Sequence, residues 1–570
     1  VKNEQNNLSI SKSSCRGFME LWGIGLLLTP VFTLLIASVV FWCGGRVQAF
    51  MFPLAVVFSI VAIFFVAQKN IKQWLFSSAI LVLSIVGFCF LSLLVLDHSF
   101  DGQWYHQEMI WKLANGWNPF FAAHAPASDI NTGGWKYVNH YSKGLETVAA
   151  TIYSLTGEIE SGKAVNFILI AASGLLFFSF LQRFYNMLSV RKQVFFTLLF
   201  LLCPVVLQQS FSFLIDFAMY SLLLMLIPAL ITFGKTQSRK ALLIIVSVVI
   251  LAVSIKFNVL FWCAFAVLCF CVYWIFTKNF QTLRKVLIAT AVSGIVAVGF
   301  INYNPYITNT IDHAHPLYPL MGEGKEDIMI GNMPTCLRDK SQITQVLISL
   351  VAQPNGYLEW RKTAFQVDKY HFLGRATPRL GGFGGFFLWT MLISVALLVA
   401  EAIRQKDFLR NKKRLPYSIF ASILFIALFI LPSGWWARYV PFFYAFPLVI
   451  CLYFEKENQT KHTKILCYII YAMLIINAIA TTLAVNRMYT DFKAKIDNIH
   501  SVMAQSPKPI KVYFGGNFAL KLRTDKAGLP YEKATYDEDK LFGIGLNPAV
   551  LFDTAQCEIQ NRVLRYRIQD

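Results

Sequence analysis

Read from its N-terminus, the chain is a series of apolar runs separated by short basic loops and by three long polar stretches. A bilayer-crossing helix needs about 20 mainly apolar residues. About 13 runs approach that length: 20–44, 50–68, 74–96, 163–183, 193–209, 212–233, 241–257, 258–277, 285–302, 384–402, 416–432, 437–454 and 465–484. The pattern predicts a polytopic α-helical membrane protein. The first run does not read as a cleaved signal, because its leading segment is long and Cys43-Gly44-Gly45 is not a small-x-small site.

Lysine and arginine alternate between the two sides of these runs. With the N-terminus inside, the inner loops hold Lys69 and Lys72, Arg183 with Arg191 and Lys192, Lys235 with Arg239 and Lys240, and Lys278 with Arg284 and Lys285. Segment 404–414 and the trio Lys456, Lys461 and Lys464 continue the series, while the short outer loops hold little beyond Arg46. Basic loops stay cytoplasmic, so the expected location is the cell inner (cytoplasmic) membrane, with the N-terminus cytoplasmic and the C-terminus periplasmic or extracytoplasmic. Three polar regions then share the outer face: 97–162, 303–383 and the tail 485–570. Residues 1–484 form the expected transmembrane module. The tail reads as a small α/β domain, with strand-like runs at 511–514, 549–552 and 562–568.

Composition agrees with the spans. Hydrophobic residues make up 56% of the 570 and charged residues 14%, with mean hydropathy +0.53. A soluble chain carries about 25% charged residues, so this one could not cover its own surface. The formal charge of +20 is therefore a topology signal, not the footprint of a nucleic-acid partner. Most of the eleven cysteines lie in apolar runs, with no disulfide framework and no zinc spacing. Cys336 and Cys557 are the clearest cysteines of the outer regions and form a candidate pair in an oxidising compartment. No P-loop or dinucleotide fingerprint occurs, which weighs against an ATP-driven transporter.

The first outer region holds the most concentrated chemistry. An apolar run ends directly in Asp97-His98-Ser99-Phe100-Asp101. On a continuing helix Asp97 and Asp101 would share a face; alternatively Asp101 caps a new helix that starts at Gly102. Met109, Ile110 and Leu113, with Trp104, Trp111 and Trp117 nearby, predict a short helix over 103–114 lying in the interface. Carboxylates at that depth are partly desolvated, which raises their pKa and makes them better general bases. The plainer reading is a span end and a helix cap, with His106 and His140 as surface histidines. Metal ligation by Asp97, Asp101, His106 or Glu108 has no supporting spacing, and metal dependence stays open.

Three charges stand at membrane depth: Asp216 just inside the sixth run, Lys256 closing the seventh and Arg438 opening the twelfth. Such charges are costly and mark function by default. All three fall toward the outer leaflet, where a cation is suited to a lipid phosphate. The competing reading is snorkelling of Lys256 and Arg438, with Asp216 pairing either one. In the second outer region 337–352 reads as a helix. Gly374, Gly381, Gly382, Gly384 and Gly385 suit a mobile loop over a cleft, or a lid without chemistry.

These residues resemble the GT-C superfamily of membrane glycosyltransferases, in particular bacterial members related to the aminoarabinose and protein-mannosyl transferases. The resemblance rests on Asp97 and Asp101 with Tyr105-His106, Asn115 to Pro119, His140 to Gly144, Leu155-Thr156-Gly157, Asn304 to Asn309, His315 to Leu320, and Trp435 to Tyr439. It covers roughly 74–454. Here the acidic motif follows the third span, not the first, and Asp97 and Asp101 compete for the main role. The resemblance implies a GT-C-like fold and transfer of a sugar from a polyprenyl-phosphate donor to a glycan, lipid or protein acceptor at the outer face. It implies inverting displacement with Asp101 (or Asp97) as base. Lys143, Arg438 and Lys256 would grip the lipid phosphate. Tyr105, His106, His140, Glu146 and Asp216 would line the substrate site. No organic cofactor is implied, and a divalent metal is an option. A sugar-lipid transporter or flippase and an O-antigen polymerase or ligase are the competing functions. Transporters place charges near the midplane in repeated halves, and the polymerases carry their large outer loop late.

Overall fold

The computed structural model describes residues 2–68, 70–128, 130, 134–334, 337–352, 379–404, 434–456, 460–534, 541–544 and 550–553. The span expected at 416–432, the strand at 562–568, Gly374 and the Cys336–Cys557 pair lie outside these residues. Among the described residues eight helices are long and apolar enough to cross a membrane. The chain is thus a polytopic, mostly helical membrane protein with a small β-containing region at its C-terminal end.

The helices that position the outer face are α1 (Lys2–Trp42), α2 (Met51–Val66), α3 (Ile71–Leu93), α4 (Gln107–Ala114), α5 (Trp135–His140), α6 (Gly144–Thr156), α7 (Ala164–Phe184) and α8 (Val190–Leu201). Then come α9 (Pro204–Gln209), α10 (Phe217–Thr236), α11 (Arg239–Ile255), α12 (Phe257–Phe276), α13 (Phe280–Ile295) and α14 (Tyr303–His313). After α15 (Ile328–Asn332) and α16 (Gln342–Val351) follow α17 (Phe387–Arg404), α18 (Ala445–Lys456) and α19 (Lys461–Gln505). Several apolar runs are shorter as helices than as sequence. The fifth run breaks after Leu201, because Pro204 cannot continue α8 and instead opens α9.

Packing separates protein-facing from lipid-facing sides. α1 is central, packed on α2, α3, α7 and α11. Thr29 of α1 donates to Ser59 of α2 at 3.2 Å, a small polar link in an apolar seam. Large apolar side chains on the rim are bare: Leu83, Phe276, Ile295 and Ile403 expose 69% or more of their surface. A soluble protein would bury such a girdle, whereas a bilayer covers it.

The tail folds as a β-α-β unit with one more hairpin. Strand β1 (Ile510–Tyr513) pairs in parallel with β2 (Tyr531–Lys533) across the helix α20 (Phe518–Lys526). β4 (Val550–Asp553) lies antiparallel to β1 and to β3 (Leu541–Ile544), giving the order β2-β1-β4-β3. The expected boundary at 484/485 falls inside the 45-residue α19, whose Phe492, Ile496, Ile499 and Met503 pack on Ile510, Val512, Phe514 and Leu520. Membrane helix and tail domain thus share one continuous element.

Two loop expectations change. The helix over 103–114 forms, as a π-helical turn Gly102–His106 followed by α4, but it does not lie in the interface. Gln107, Glu108, Met109, Ile110, Lys112 and Leu113 are all buried, with α4 packed on α6 and α20. The apolar stripe that sequence alone assigns to lipid packs instead with residues of α1, α2 and α6, and the tail helix meets α4 at its Trp111 side. Glycines 381–385 are not an open hinge either. They form a buried turn in which Gly384 (φ +92°) lies against Asn477, where a Cβ would come within 2.7 Å of the amide carbon.

Candidate functional site

The turn after α3 is built from its own polar side chains. α3 stops at Leu93, so Asp97 and Asp101 do not share a helix. Asp97 Oδ1 accepts from the Ser99 amide at 2.9 Å and Oδ2 from the Ser99 hydroxyl at 3.1 Å. Ser99 Oγ in turn accepts from Gly102 N at 3.2 Å and so caps the next helix. Position 102 must be glycine, because a Cβ would sit 1.8 Å from Asp97 Oδ2. Capping is thereby done by Ser99 and supported by Asp97. The carboxylate of Asp101 makes no cap hydrogen bond and faces another partner.

That partner is Arg438, whose Nη1 donates to Asp101 Oδ2 at 3.0 Å. Arg438 Nε lies 3.7 Å from Asp216 Oδ2, and Lys256 Nζ donates to Asp216 Oδ1 at 2.5 Å. Four charges far apart in sequence thus meet at one common end of α10, α11 and α12. Asp216 is not inside its helix, as the hydropathy of 212–233 suggests, but in the position just before α10. Gln209 fixes it there, donating to Asp216 Oδ2 at 3.4 Å while accepting from Phe217 N at 2.7 Å. Asn166 clamps the same turn through the carbonyls of Gln209, Ser210 and Ser212. Lys256 and Arg438 are therefore not snorkelling: their charges turn inward to a carboxylate.

Aromatic rings wall the cluster. The Arg438 guanidinium stands 4.4 Å over Trp436 and 5.4 Å over Tyr439, and Lys256 lies 5.0 Å over Tyr439. All three are cation–π distances. Tyr105, Tyr137 and Tyr141 form a second wall, with Tyr137 5.1 Å from each of the other two rings. Burial, and next the Asp101 carboxylate, push the Tyr105 phenol well above its ordinary range, so it is present as a hydroxyl. Exposure ranks the two acids: the Asp216 side chain is 1% exposed and Asp101 19%, so only Asp101 is open to a reactant. A cavity of about 420 Å³ adjoins the cluster. Tyr141, Lys256, Asn258, Lys325, Glu326 and Tyr439 are among its lining residues. Both amide atoms of Asn258 lack a hydrogen-bond partner.

Other expected residues have different roles. Asp97 is fully buried, its carboxyl held above the usual range by burial and the nearby Glu160 carboxylate. It supports the turn and does not join Arg438. His106 and His140 are buried, not surface, residues. His106 Nδ1 is 2.6 Å from Glu146 Oε1, a pair behind Asp216. His140 Nδ1 meets Asn309 Oδ1 at 2.8 Å and ties the two outer loops together. Burial pushes the His140 ring down to about 4.

Lys143 departs most from expectation. Its ammonium donates to Asn139 O, Tyr141 O and Asn304 Oδ1 at 2.7–2.8 Å, which uses all three of its protons inside the loop. Burial pushes its pKa down to about 7. It braces Asn304 rather than pointing to a lipid phosphate. The metal option also disperses: Asp97 bonds Ser99, Asp101 bonds Arg438, His106 pairs with Glu146, and Glu108 pairs with Lys112 at 2.8 Å. Among the described residues no group of three His, Cys, Asp or Glu side chains converges on a metal position.

Sequence reasoning missed Ser99, Asn258, Tyr137 and Arg379, the last 5.1 Å over Trp436, and gave Tyr439 no role beyond its place in the Trp435–Tyr439 motif. Only Ser99 left a signal, as a cap residue three before Gly102.

The fold and site together describe a polytopic membrane protein with a charged, aromatic-walled recess at one end of its helices. No family model matches the sequence, and no curated protein sequence matches it. Among solved structures the chain is similar to ArnT from Cupriavidus metallidurans bound to undecaprenyl phosphate, at 12% identity and TM-score 0.44, over 80% of this chain and 86% of that one. It is similar also to the apo state of the same protein, at 12% identity and TM-score 0.42, over 85% and 89% of the two chains.

Proposed function

We propose that the chain is a glycosyltransferase that moves a sugar from a polyprenyl-phosphate donor to a glycan, lipid or protein acceptor at the outer face of the membrane. The observation that carries this reading is the pairing of the accessible Asp101 with Arg438, beside Lys256 and a cavity. A donor of this class needs three things from the protein: a base, a cation for the leaving phosphate, and lateral access to lipid.

Asp101 accepts the proton of the acceptor hydroxyl. The oxygen then attacks the anomeric carbon, and the bond from that carbon to the phosphate oxygen breaks with inversion. Charge grows on the departing lipid phosphate, and Arg438 and Lys256 neutralise it. Asp216 keeps both cations charged and aimed, Tyr105 and Tyr141 wall the sugar, and the His106–Glu146 pair holds the loop behind them. His140 and Lys143 act through the loop, and Asp97 through the capping turn.

The test is Asp101→Asn in the full chain. It removes the base and keeps the shape, so transfer should fall by about 10²–10⁴-fold, with unfolding behaviour retained. Undiminished transfer by that variant would refute the assignment of the base. A flippase would continue to move its lipid after the same change. Mass spectrometry of envelope lipids and glycans, with and without the protein, identifies donor and acceptor as the product that loses one sugar.

A further inference from the structure

A second recess runs along the membrane module from beside the outer site to the basic face. It is an apolar groove between α7, α8, α10 and α18, lined by Phe177, Phe180, Phe200, Leu224, Ile227 and Val449. Its outer end reaches Tyr220 and Phe442, and its inner end stops at Lys235 and Lys456. From Tyr220 to Lys235 is fifteen residues of α10, roughly 22 Å of helix. One leaflet of hydrocarbon is about 15 Å deep, so the groove is long enough for a single lipid chain.

The two lysines distinguish this groove from an ordinary packing defect. Both are exposed at the basic face, which the charge pattern assigns to the cytoplasm. Lys235 Nζ stands 4.9 Å over Phe184 and Lys456 Nζ 5.6 Å over the adjacent Tyr185, so neighbouring rings hold both ammonium groups at one mouth. They are close enough to repel each other. The nearby carboxylates are engaged elsewhere. Glu455 holds Lys192 at 2.7 Å, and Glu20 bridges Arg183 and Lys240 at 3.2 Å each. Among the described residues neither Lys235 nor Lys456 has a carboxylate partner. Two cations with no carboxylate partner among the described residues, above a greasy slot, match one anionic headgroup above one acyl chain, and basic pockets between helices on the cytoplasmic side bind such lipids.

We propose that this groove binds an anionic glycerophospholipid of the inner leaflet, its phosphate between Lys235 and Lys456 and one acyl chain along Phe177, Phe200 and Leu224. The occupant is not the sugar donor, whose phosphate belongs with Arg438 at the other end and whose tail would leave the two lysines unanswered. That exclusion of the donor rests on the proposed function, whereas the two lysines and the groove take no part in the transfer chemistry.

The full chain in mixed micelles would be titrated with phosphatidylglycerol and with phosphatidylcholine of the same chains, and retained lipid read by native mass spectrometry. Wild type should prefer phosphatidylglycerol by about thirtyfold, the value expected for two lysines. The double variant Lys235→Gln/Lys456→Gln should lose that preference. Ile227→Trp fills the groove and keeps both lysines, and it should weaken retention of both lipids. Equal retention of the two lipids by wild type would overturn the proposal, as would a preference that survives in the double variant. Displacement of phosphatidylglycerol by polyprenyl phosphate, equally in wild type and double variant, would reassign the groove to the carrier's tail.

Discussion

Asp216 is the least exposed member of the outer cluster, and Asp216→Asn exposes what it does. The change removes one negative charge and keeps volume. Lys256 loses a partner at 2.5 Å and Arg438 one at 3.7 Å. With an effective dielectric of about 20, those contacts are worth about 7 and about 4 kcal/mol in gross attraction. Dehydrating each buried ion takes back several kcal/mol, which is why the net value of such a pair is modest. Breaking it from one side is different, because the cations stay behind without the anion. The expected cost is therefore about 3–5 kcal/mol. Asp216→Asn combined with Lys256→Met removes both charges and should recover much of the loss, giving a coupling above about 2 kcal/mol in a double-mutant cycle. Unfolding in mixed micelles by added SDS supplies the free energies, and hydrogen exchange over 209–217 locates the change. If Asp216→Asn cost under about 1 kcal/mol and the two changes were additive, the ion-pair account of this cluster would be wrong.

Three further outcomes are expected. Gly102→Ala drives a methyl group into the Asp97 carboxylate and Ser99 hydroxyl; it should destabilise by about 1–3 kcal/mol and raise exchange at 99–106, and unchanged protection there would contradict the capping scheme. His98 and His140 are both pushed down to about 4 by burial; the stability they contribute is complete above about 6.5 and is lost as pH falls toward 4, so melting temperature should drop across that window, and less so in His140→Gln. Arg523 links α20 to the site turn, donating to Glu160 Oε1 at 2.7 Å and Asp97 O at 3.2 Å; Arg523→Met should loosen the tail domain, read as faster proteolysis between 506 and 534, and an unaltered cleavage rate would remove that link.

Much of the outer site was legible because charge is rare in apolar runs. Asp101, Asp216, Lys256 and Arg438 stood out one by one, and the parity of the spans put them on one face, where they meet. What pairs with what was not legible. Lys143 has the look of a phosphate ligand until its acceptor Asn304 is seen 161 positions away. Asp97 and Asp101 look equivalent in sequence. They separate only because Ser99 takes one carboxylate for the turn and leaves the other to Arg438. Tyr137, Tyr141 and Tyr439 carry no such signal, since tyrosines collect at any membrane boundary. The burial of α4 depended on α1, α2 and α6 closing over its apolar stripe, with the tail helix against Trp111, which periodicity within 103–114 cannot report.

The 45 residues of α19 pass from the bilayer into the core of the tail domain without a break. At 1.5 Å per residue this rod is about 67 Å long. A tilt of about 5° at its membrane end would sweep the other end through about 6 Å, and apolar helices tilt to suit the thickness of the surrounding lipid. Because Arg523 and Asn517 of the tail grip Asp97 and Gln103, the sheet acts as the head of a lever. Bilayers of different thickness should thus register as mechanical load on the very bend that presents Asp101.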